Sequence, residues 1–385
     1  MTELYATVAR VDLDAICHNV RAARELSPGL KVLVAVKAQA YGHGAVAVAR
    51  RLADERLADW LGVATTPEGI ELREAGIELP ILRLSHAFAE ELPSALAADL
   101  ALPVVDEHTI DAVARAAERL GRDRYPVHLA IDTGMGRIGC RPEAATALAA
   151  RVVARGLDLQ GLYTHLPISD TQAGDEFTRD QLELFAATVA AVQRERTAAG
   201  LDPVPLVHAA NSGAVLGHRA EVCTMVRPGI MVYGYYPDLA GTPRPVELRP
   251  ALTWTSRVSF VKRVPAGRTV GYGRTWTAPV ESWLATVPIG YGDGYSRLNS
   301  NRGRMLVGGR SYPVAGRVCM DQTMLDLGPA LPGQPAPVQA GDEVVVLGTQ
   351  GEQTISTDEL AELMGTINYE VTCLVGSRVP RVHSS

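Results

Sequence analysis

Val34-Ala35-Val36-Lys37-Ala38-Gln39-Ala40-Tyr41-Gly42-His43-Gly44 is the stretch that decides how this chain is read. Its first half is an unbroken apolar run, as a strand buried on both faces of a parallel sheet requires. It ends on a lysine, a glycine-flanked turn and then a helical pattern. That order places Lys37 at the mouth of a strand. In a barrel of eight parallel strands the mouth is where chemistry is done, and a lysine among apolar walls loses hydration, which favours a neutral, nucleophilic amine. An arbitrary lysine at a strand end more often reaches out to solvent, so the rest of the chain has to support the sharper reading.

Outward from this stretch, strand-like runs alternate with amphipathic helical patterns from about Val11 to Gly234. Strands are expected at Lys31–Val36, Trp60–Ala64, Pro80–Leu84, Leu102–Val105, Val127–Ile131, Leu157–Thr164, Leu206–Ala209 and Met225–Val232. Helices are expected at Gly44–Ala58, Pro67–Ala75, His108–Leu120, Pro142–Ala154 and Thr178–Ala199. Eight such alternations point to a closed parallel barrel, since an open sheet of that size usually has fewer units and a Gly-rich first turn. After about Pro250 the texture changes to short β-type runs punctuated by Gly and Pro, and only Thr357–Met364 looks helical. The fold class is therefore α/β plus β, an N-terminal (β/α)8 TIM-like barrel over residues 8–245 followed by a predominantly β domain over 246–385. Leu4–Val11 alternates like a strand able to pair with either domain, and residues 1–7 are expected to pair with the second. Pro329–Pro337 reads as a surface loop.

The totals narrow the function. With 47% hydrophobic and 21% charged residues and a formal net charge of -6, the chain is an ordinary globular protein without the basic field that nucleic acid or anionic lipid calls for. Cys17, Cys140, Cys223, Cys319 and Cys373 are scattered and odd in number. They read as reduced thiols of a cytoplasmic protein, not as disulfides or metal ligands. Met1–Tyr5 has neither a basic nor an apolar leader pattern, and no apolar run is long enough to span a membrane.

The chemistry-bearing segments are VAVKAQAYGHG around Lys37 and Tyr41, IDTGMGRIG at 131–139, YTH at 163–165, HAANS at 208–212, VRPGIMVYG at 226–234, GYGRTW at 271–276, GYGDGYSR at 290–297, GRVCMDQTM at 316–324 and INYEV at 367–371. Together, in this order from about residue 8 to the C-terminus, they resemble the pyridoxal-phosphate-dependent alanine racemases. The resemblance implies interconversion of L- and D-alanine by a cytoplasmic homodimer whose active sites are shared between subunits, supplying D-alanine for peptidoglycan. It implies that Lys37 holds pyridoxal phosphate as a Schiff base and then serves as the acid/base on one face of the substrate Cα, with Tyr272 of the partner subunit on the other. Lys37 would handle the D enantiomer and Tyr272 the L enantiomer. It also places Arg227 against the pyridine nitrogen. An arginine stays charged and cannot accept a proton, so the ring is a weaker electron sink than one paired with a carboxylate, which suits racemisation over transamination. Ser212, the backbone of Gly229 and Ile230, and the hydroxyls of Tyr41 and Tyr369 are implied as phosphate partners, and His165 as a neighbour linking Arg227 and Tyr272. Arg137 and the Met320 backbone are implied to hold the substrate carboxylate, and Tyr291 to stand with Tyr369 at a narrow entrance.

Gly134-Met135-Gly136-Arg137-Ile138-Gly139 spells the dinucleotide fingerprint, but it follows the fifth strand of the expected barrel, so that reading is rejected. Two positions depart from the family pattern. Ala130 stands where a lysine, often carbamylated, braces the arginine, so Arg137 is expected to find another acceptor, a halide or water included. Gln39 replaces the usual Asn. The rival readings are a racemase of serine, lysine or several amino acids, a non-catalytic pyridoxal-phosphate carrier on a lone barrel, and a decarboxylase with an acid on the pyridine nitrogen.

Overall fold

A computed structural model describes residues 5–218, 221–237 and 243–384; Met1–Leu4, with which the N-terminal readings begin, lie outside them. The chain divides into two units. One takes residues 15–40 and 44–250, the other residues up to 14, 41–43 and from 251 onward. The first strand, β1 (Val8–Asp12), belongs to the second unit: it pairs antiparallel with the strand at 252–257 and parallel with the strand at 381–384. Residues 8–12, counted with the barrel in the 8–245 division, thus sit in the sheet-rich unit. Thr7 bonds Ser256 at 2.8 Å in the same unit.

The first unit is a nearly closed parallel barrel of β2 (Lys31–Ala35), β3 (Trp60–Val63), β4 (Ile81–Arg83), β5 (Leu100–Val104), β6 (Pro126–Ala130), β7 (Asp158–Tyr163), β8 (Leu206–His208) and β9 (Met225–Val226), in the order β8-β7-β6-β5-β4-β3-β2-β9. Thr224 N donates to Val207 O at 2.8 Å and draws β9 towards β8. All eight expected strands are present. β9 is shorter than the expected Met225–Val232 because Pro228 has no N–H for a ladder, and the chain turns after Gly229 into a 3-10 segment, Ile230–Tyr233. The expected helices are present, and Leu13–Leu26, Leu92–Ala97 and Ser212–Gly217 are helical outside those ranges. Local sequence explains the starts. Thr65 accepts from Glu68 N while the Glu68 carboxylate accepts from Thr65 N, a reciprocal cap that opens the helix Thr66–Glu74.

Inside the barrel, Leu33, Trp60, Leu82, Ala101, Leu206 and Met225 form one buried cluster, each from a different strand. Small residues make room for large or polar ones on neighbouring strands. Gly62 faces Leu33 and Leu84, and Gly161 on β7 faces the His128 ring of β6.

The second unit contains β10 (Leu252–Arg257), β11 (Phe260–Val264), β12 (Thr269–Val270), β13 (Trp276–Thr277), β14 (Ser282–Val287), β15 (Arg304–Val307), β16 (Arg310–Pro313), β17 (Thr323–Pro329), β18 (Glu343–Gln350), β19 (Gln353–Ile355) and β20 (Arg381–Ser384). One sheet runs β16-β15-β18-β10-β1-β20 with β19 on β18, a second runs β11-β14-β17, and β12 and β13 form a separate hairpin. Thr357–Met364 is helical as expected, and Asn368–Cys373 adds a second helix there.

A Cβ at residue 161 would lie 2.2 Å from His128 Nδ1. Gly161→Ala is expected to lower the stability by about 1–3 kcal/mol through overpacking; urea unfolding of the variant beside the wild type checks this.

Candidate active site

Lys37 follows the last buried residue of the β2 run, Val36, whose N–H donates to Gly62 O at 2.8 Å. The strand end is further fixed by Tyr233, whose hydroxyl donates to Ala35 O at 2.7 Å. The side chain of Lys37 is half-buried at the carboxyl end of its strand, where the sequence places it.

Arg227 directly follows β9 and is buried, 6% exposed. Its fork is satisfied by neutral acceptors at the ends of the neighbouring strands. Nη1 donates to His208 O at 2.7 Å and His208 Nδ1 at 2.9 Å; Nη2 donates to Thr164 O at 2.8 Å, Ala209 O at 3.2 Å and His165 Nδ1 at 3.3 Å. Because the guanidinium has no lone pair to offer, His208 and His165 must both accept through Nδ1 and carry their protons on Nε2. His208 Nε2 then donates to His128 Nδ1 at 2.9 Å. Tyr163 stacks on His208 with ring centroids 5.1 Å apart, and Arg227 lies over the Tyr163 ring at 5.6 Å.

This environment fixes charge states. Burial, then Arg227, Arg137 and Lys37, hold His165 at about 3. Burial and Arg227 hold His128 at about 3 against the opposing side chain of Gln160, and burial, Arg227 and His128 hold His208 well below the usual histidine range. Burial lowers Arg227 to about 10, which leaves it a cation at neutral pH. Two guanidinium cations, Arg227 and Arg137, therefore bear on one neutral imidazole, a field that suits an anionic ligand.

Arg137 sits on the loop 131–140, whose base is closed by Cys140 N to Ala130 O at 2.9 Å and Asp132 N to Cys140 O at 2.8 Å. The Asp132 carboxylate accepts from Gly134 N and Gly136 N at 3.0 Å each. The Arg137 side chain is exposed, and among the described residues no protein group holds it by a hydrogen bond or ion pair. A guanidinium in water does not carry the desolvation cost that called for a brace.

Ser212 opens a short helix, Ser212–Gly217, behind the cap residue Asn211. Its Oγ accepts from Gly229 N at 2.9 Å and Met231 N at 3.3 Å, so its own hydrogen is directed elsewhere and suits an anionic acceptor. Ile230 begins the 3-10 turn beside it. In the second unit, Tyr41 is buried with its ring centroid 6.2 Å from that of Tyr369, and burial pushes the Tyr41 phenol up. Tyr291 and Met320 are brought together: Tyr291 N donates to Cys319 O at 3.0 Å and Gly292 N to Met320 O at 2.9 Å. Both side chains are exposed, as is Tyr272, at 73%, on the segment joining β12 to β13.

The donors in the barrel fit pyridoxal phosphate. Lys37 offers an amine. Arg227 has no carboxylate partner among the described residues, and its Nε–H is the donor left over from the five contacts above, suited to a ring nitrogen lone pair. Ser212 offers a hydroxyl hydrogen beside the glycine turn. Sequence reasoning missed His128 and gave Tyr163 and His208 no role of their own. The signal was there: His128 interrupts the otherwise apolar Val127–Ala130, and a polar residue buried in a barrel strand needs a partner.

Two family models match in order, "Alanine racemase, N-terminal domain" over residues 11–237 and "Alanine racemase, C-terminal domain" over 251–383. The chain is 50% identical over 374 residues to an alanine racemase of Cutibacterium acnes, covering 97% of this chain and 96% of that protein. Among solved structures it is similar to the alanine racemase of a D-cycloserine-producing Streptomyces lavendulae, with a TM-score of 0.89 at 37% identity over 100% of this chain and 98% of that one. It is likewise similar to the Bacillus anthracis alanine racemase with bound L-Ala-P, with a TM-score of 0.89 at 35% identity over 100% and 96%.

Three histidines that stay neutral in the folded chain but take protons at their ordinary 6.5 when unfolded link stability to pH. Their contribution is present in full above about 6.5 and is lost as pH falls towards 3, at about 1.4 kcal/mol per pH unit for each histidine. Urea unfolding at intervals from pH 7 to pH 5 is expected to show this loss, with a slope reduced by about one histidine in His128→Asn.

Proposed function

The chain belongs to the alanine racemase family, pyridoxal-phosphate-dependent isomerases that interconvert L- and D-alanine, and from that premise we propose how its own residues divide the work. When bound, pyridoxal phosphate supplies an electron-withdrawing ring conjugated with the substrate nitrogen, which acidifies the Cα–H bond. Lys37 holds the cofactor through its amine. The same amine, when not engaged by the cofactor, would lie beside the substrate Cα as the acid/base on one face. The partner's Tyr272 serves the other face, Lys37 acting on the D enantiomer and Tyr272 on the L.

The observation that carries this assignment is the buried Arg227 held by neutral imidazoles and carbonyls. With no carboxylate beside it, the cation keeps its charge, and its Nε–H would donate to the lone pair of the ring nitrogen. A fixed cation at that position would suit return of the proton to Cα over side reactions. Ser212, the Gly229 and Ile230 backbone, Tyr41 and Tyr369 would hold the phosphate. Arg137 and the Met320 backbone hold the carboxylate, and Tyr291 and Tyr369 narrow the entrance. His165, neutral and already accepting from Arg227 through Nδ1, has its Nε2–H left to donate to the oxygen of the Tyr272 phenol.

The exposure of Tyr272, Tyr291 and Met320 supports a homodimer in which a second copy completes each site. No helix among the described residues is long and apolar enough to cross a membrane, and a cytoplasmic location, with D-alanine passing to peptidoglycan precursors, is part of the proposal. Alanine is favoured over serine or lysine because the relatives are named for it, and a lone-barrel carrier is not favoured because the second domain is present and matched.

The proposal is tested with L-alanine and D-alanine in D2O, following Cα exchange and chiral product, then with L-serine and L-lysine. Tyr272→Phe is expected to abolish most proton removal from L-alanine, and Lys37→Ala to lose the visible absorbance of the lysine-held cofactor. A Tyr272→Phe enzyme of normal rate in both directions overturns the assignment of the phenol.

A further inference from the structure

Immediately after Lys37 the backbone does something that side chains resist. Ala38 (φ 52, ψ 50), Gln39 (φ 54, ψ 46) and Ala40 (φ 53, ψ 52) are left-handed, and Tyr41 follows at φ 53. None of the four is glycine. In this region each Cβ crowds the following carbonyl, and runs of such residues persist only where the surroundings over-determine them.

Within the barrel unit, the surroundings that hold the turn are specific. Glu68 Oε1 accepts from Ala38 N at 2.7 Å, the first amide after the lysine, while Glu68 Oε2 accepts from Ala64 N at 2.7 Å and Thr65 N at 3.0 Å. One carboxylate thus ties the exit of β2 to the exit of β3. Three residues on, Glu71 Oε2 accepts from Gln39 Nε2 at 2.7 Å, and Gln39 Oε1 accepts from Ala45 N at 3.3 Å. Residues three apart on a helix share a face, so Glu68 and Glu71 address the same turn together. Ala40 N to Val36 O at 2.8 Å and Gly44 N to Gln39 O at 2.8 Å complete it.

We propose that Glu68, seconded by Glu71 through Gln39, is the positioning residue for Lys37: its carboxylate holds the left-handed turn that aims the lysine stem into the barrel mouth. The inference rests on the reading of Lys37 as the reacting amine. It also gives the Gln39 departure a use, since the longer amide reaches both Glu71 and the Ala45 amide. Glu68 touches neither cofactor nor substrate; it acts through the backbone at residue 38.

The test compares Glu68→Ala, Glu68→Gln, Gln39→Ala and Thr65→Ala. Thr65→Ala removes the cap hydroxyl of the same helix but leaves the Ala38 contact, so it reports helix stability alone. Amide hydrogen exchange of the peptide spanning residues 36–44 is measured without cofactor, and visible circular dichroism of the lysine-held cofactor and kcat are measured with it. Glu68→Ala is expected to lose protection in that peptide, lose dichroic amplitude and drop kcat by about 10- to 100-fold, the size of effect a small misplacement of a reacting group produces. Glu68→Gln is expected to restore part of each, and Gln39→Ala to show the same changes to a smaller degree without disturbing the helix cap. Glu68→Ala and Gln39→Ala proteins with wild-type exchange and dichroism overturn the proposal, as does a Thr65→Ala protein that reproduces their losses. A failure of the underlying reading shows separately, as visible absorbance that survives Lys37→Ala; the exchange of the cofactor-free chain still judges the clamp.

Discussion

The burial of one guanidinium without a counterion sets the conditions for the rest of the barrel mouth. A cation taken out of water must be given acceptors, and a carboxylate would both satisfy and neutralise it. Here the acceptors are the carbonyls of Thr164, His208 and Ala209 and the imidazoles of His165 and His208. The carbonyls are available because they lie at or just beyond the ends of β7 and β8, where the parallel ladder runs out of partners. The topology of the barrel thus supplies the groups that keep Arg227 charged. From that charge follow the tautomers of His165 and His208, the donation from His208 to His128, and the glycine at residue 161 that makes room for the third ring.

The second constraint is strain, and it is met from both ends of one turn. On the barrel side Glu68 and Gln39 hold residues 38 and 39. Residues 41–43 pack with the second unit, where Arg381 Nε donates to Gly42 O at 3.1 Å and His383 Nε2 lies 2.8 Å from His43 O. A Cβ on Gly42 would lie 2.0 Å from Thr372 O, and its φ of +88 is one that side chains rarely adopt, so glycine is required there for two reasons. The residue that carries the amine and the tyrosine assigned to the phosphate are therefore four residues apart in sequence yet fixed by different parts of the fold.

This division explains what the sequence could and could not tell. The eight strands were legible because a buried parallel strand must be apolar along its whole length, and Lys37 stood out as the charge ending such a run. The shortening of β9 followed from Pro228, which was visible, but its weight against an apolar run of eight residues was not. His128 was hidden because a single polar residue in a strand reads as a facing choice until the opposite ring and the glycine beside it are placed. The left-handed turn was hidden for a deeper reason: Ala38, Gln39 and Ala40 have no local preference for it, and the carboxylate that enforces it lies some thirty residues away. Local propensity cannot show a conformation that tertiary contacts impose.

Arg137 shows the same distinction in the opposite sense. With Ala130 beneath it there is no side-chain brace, yet its loop is not left to wander. Asp132 gathers the amides of Gly134 and Gly136, Thr133 bonds Thr164 at 2.8 Å, and Gly139, at φ +130, lies so close to Asp132 N that a Cβ would come within 2.7 Å. The direction of the arginine is inherited from backbone geometry, and its guanidinium stays hydrated in the single chain. If it receives the substrate carboxylate as proposed, removal of that water offsets part of the attraction, so the contact orients the substrate more than it tightens binding. The strong and permanent electrostatics of the site then lie with the buried arginine at residue 227, and the exposed one at residue 137 is left to exchange its partners with each turnover.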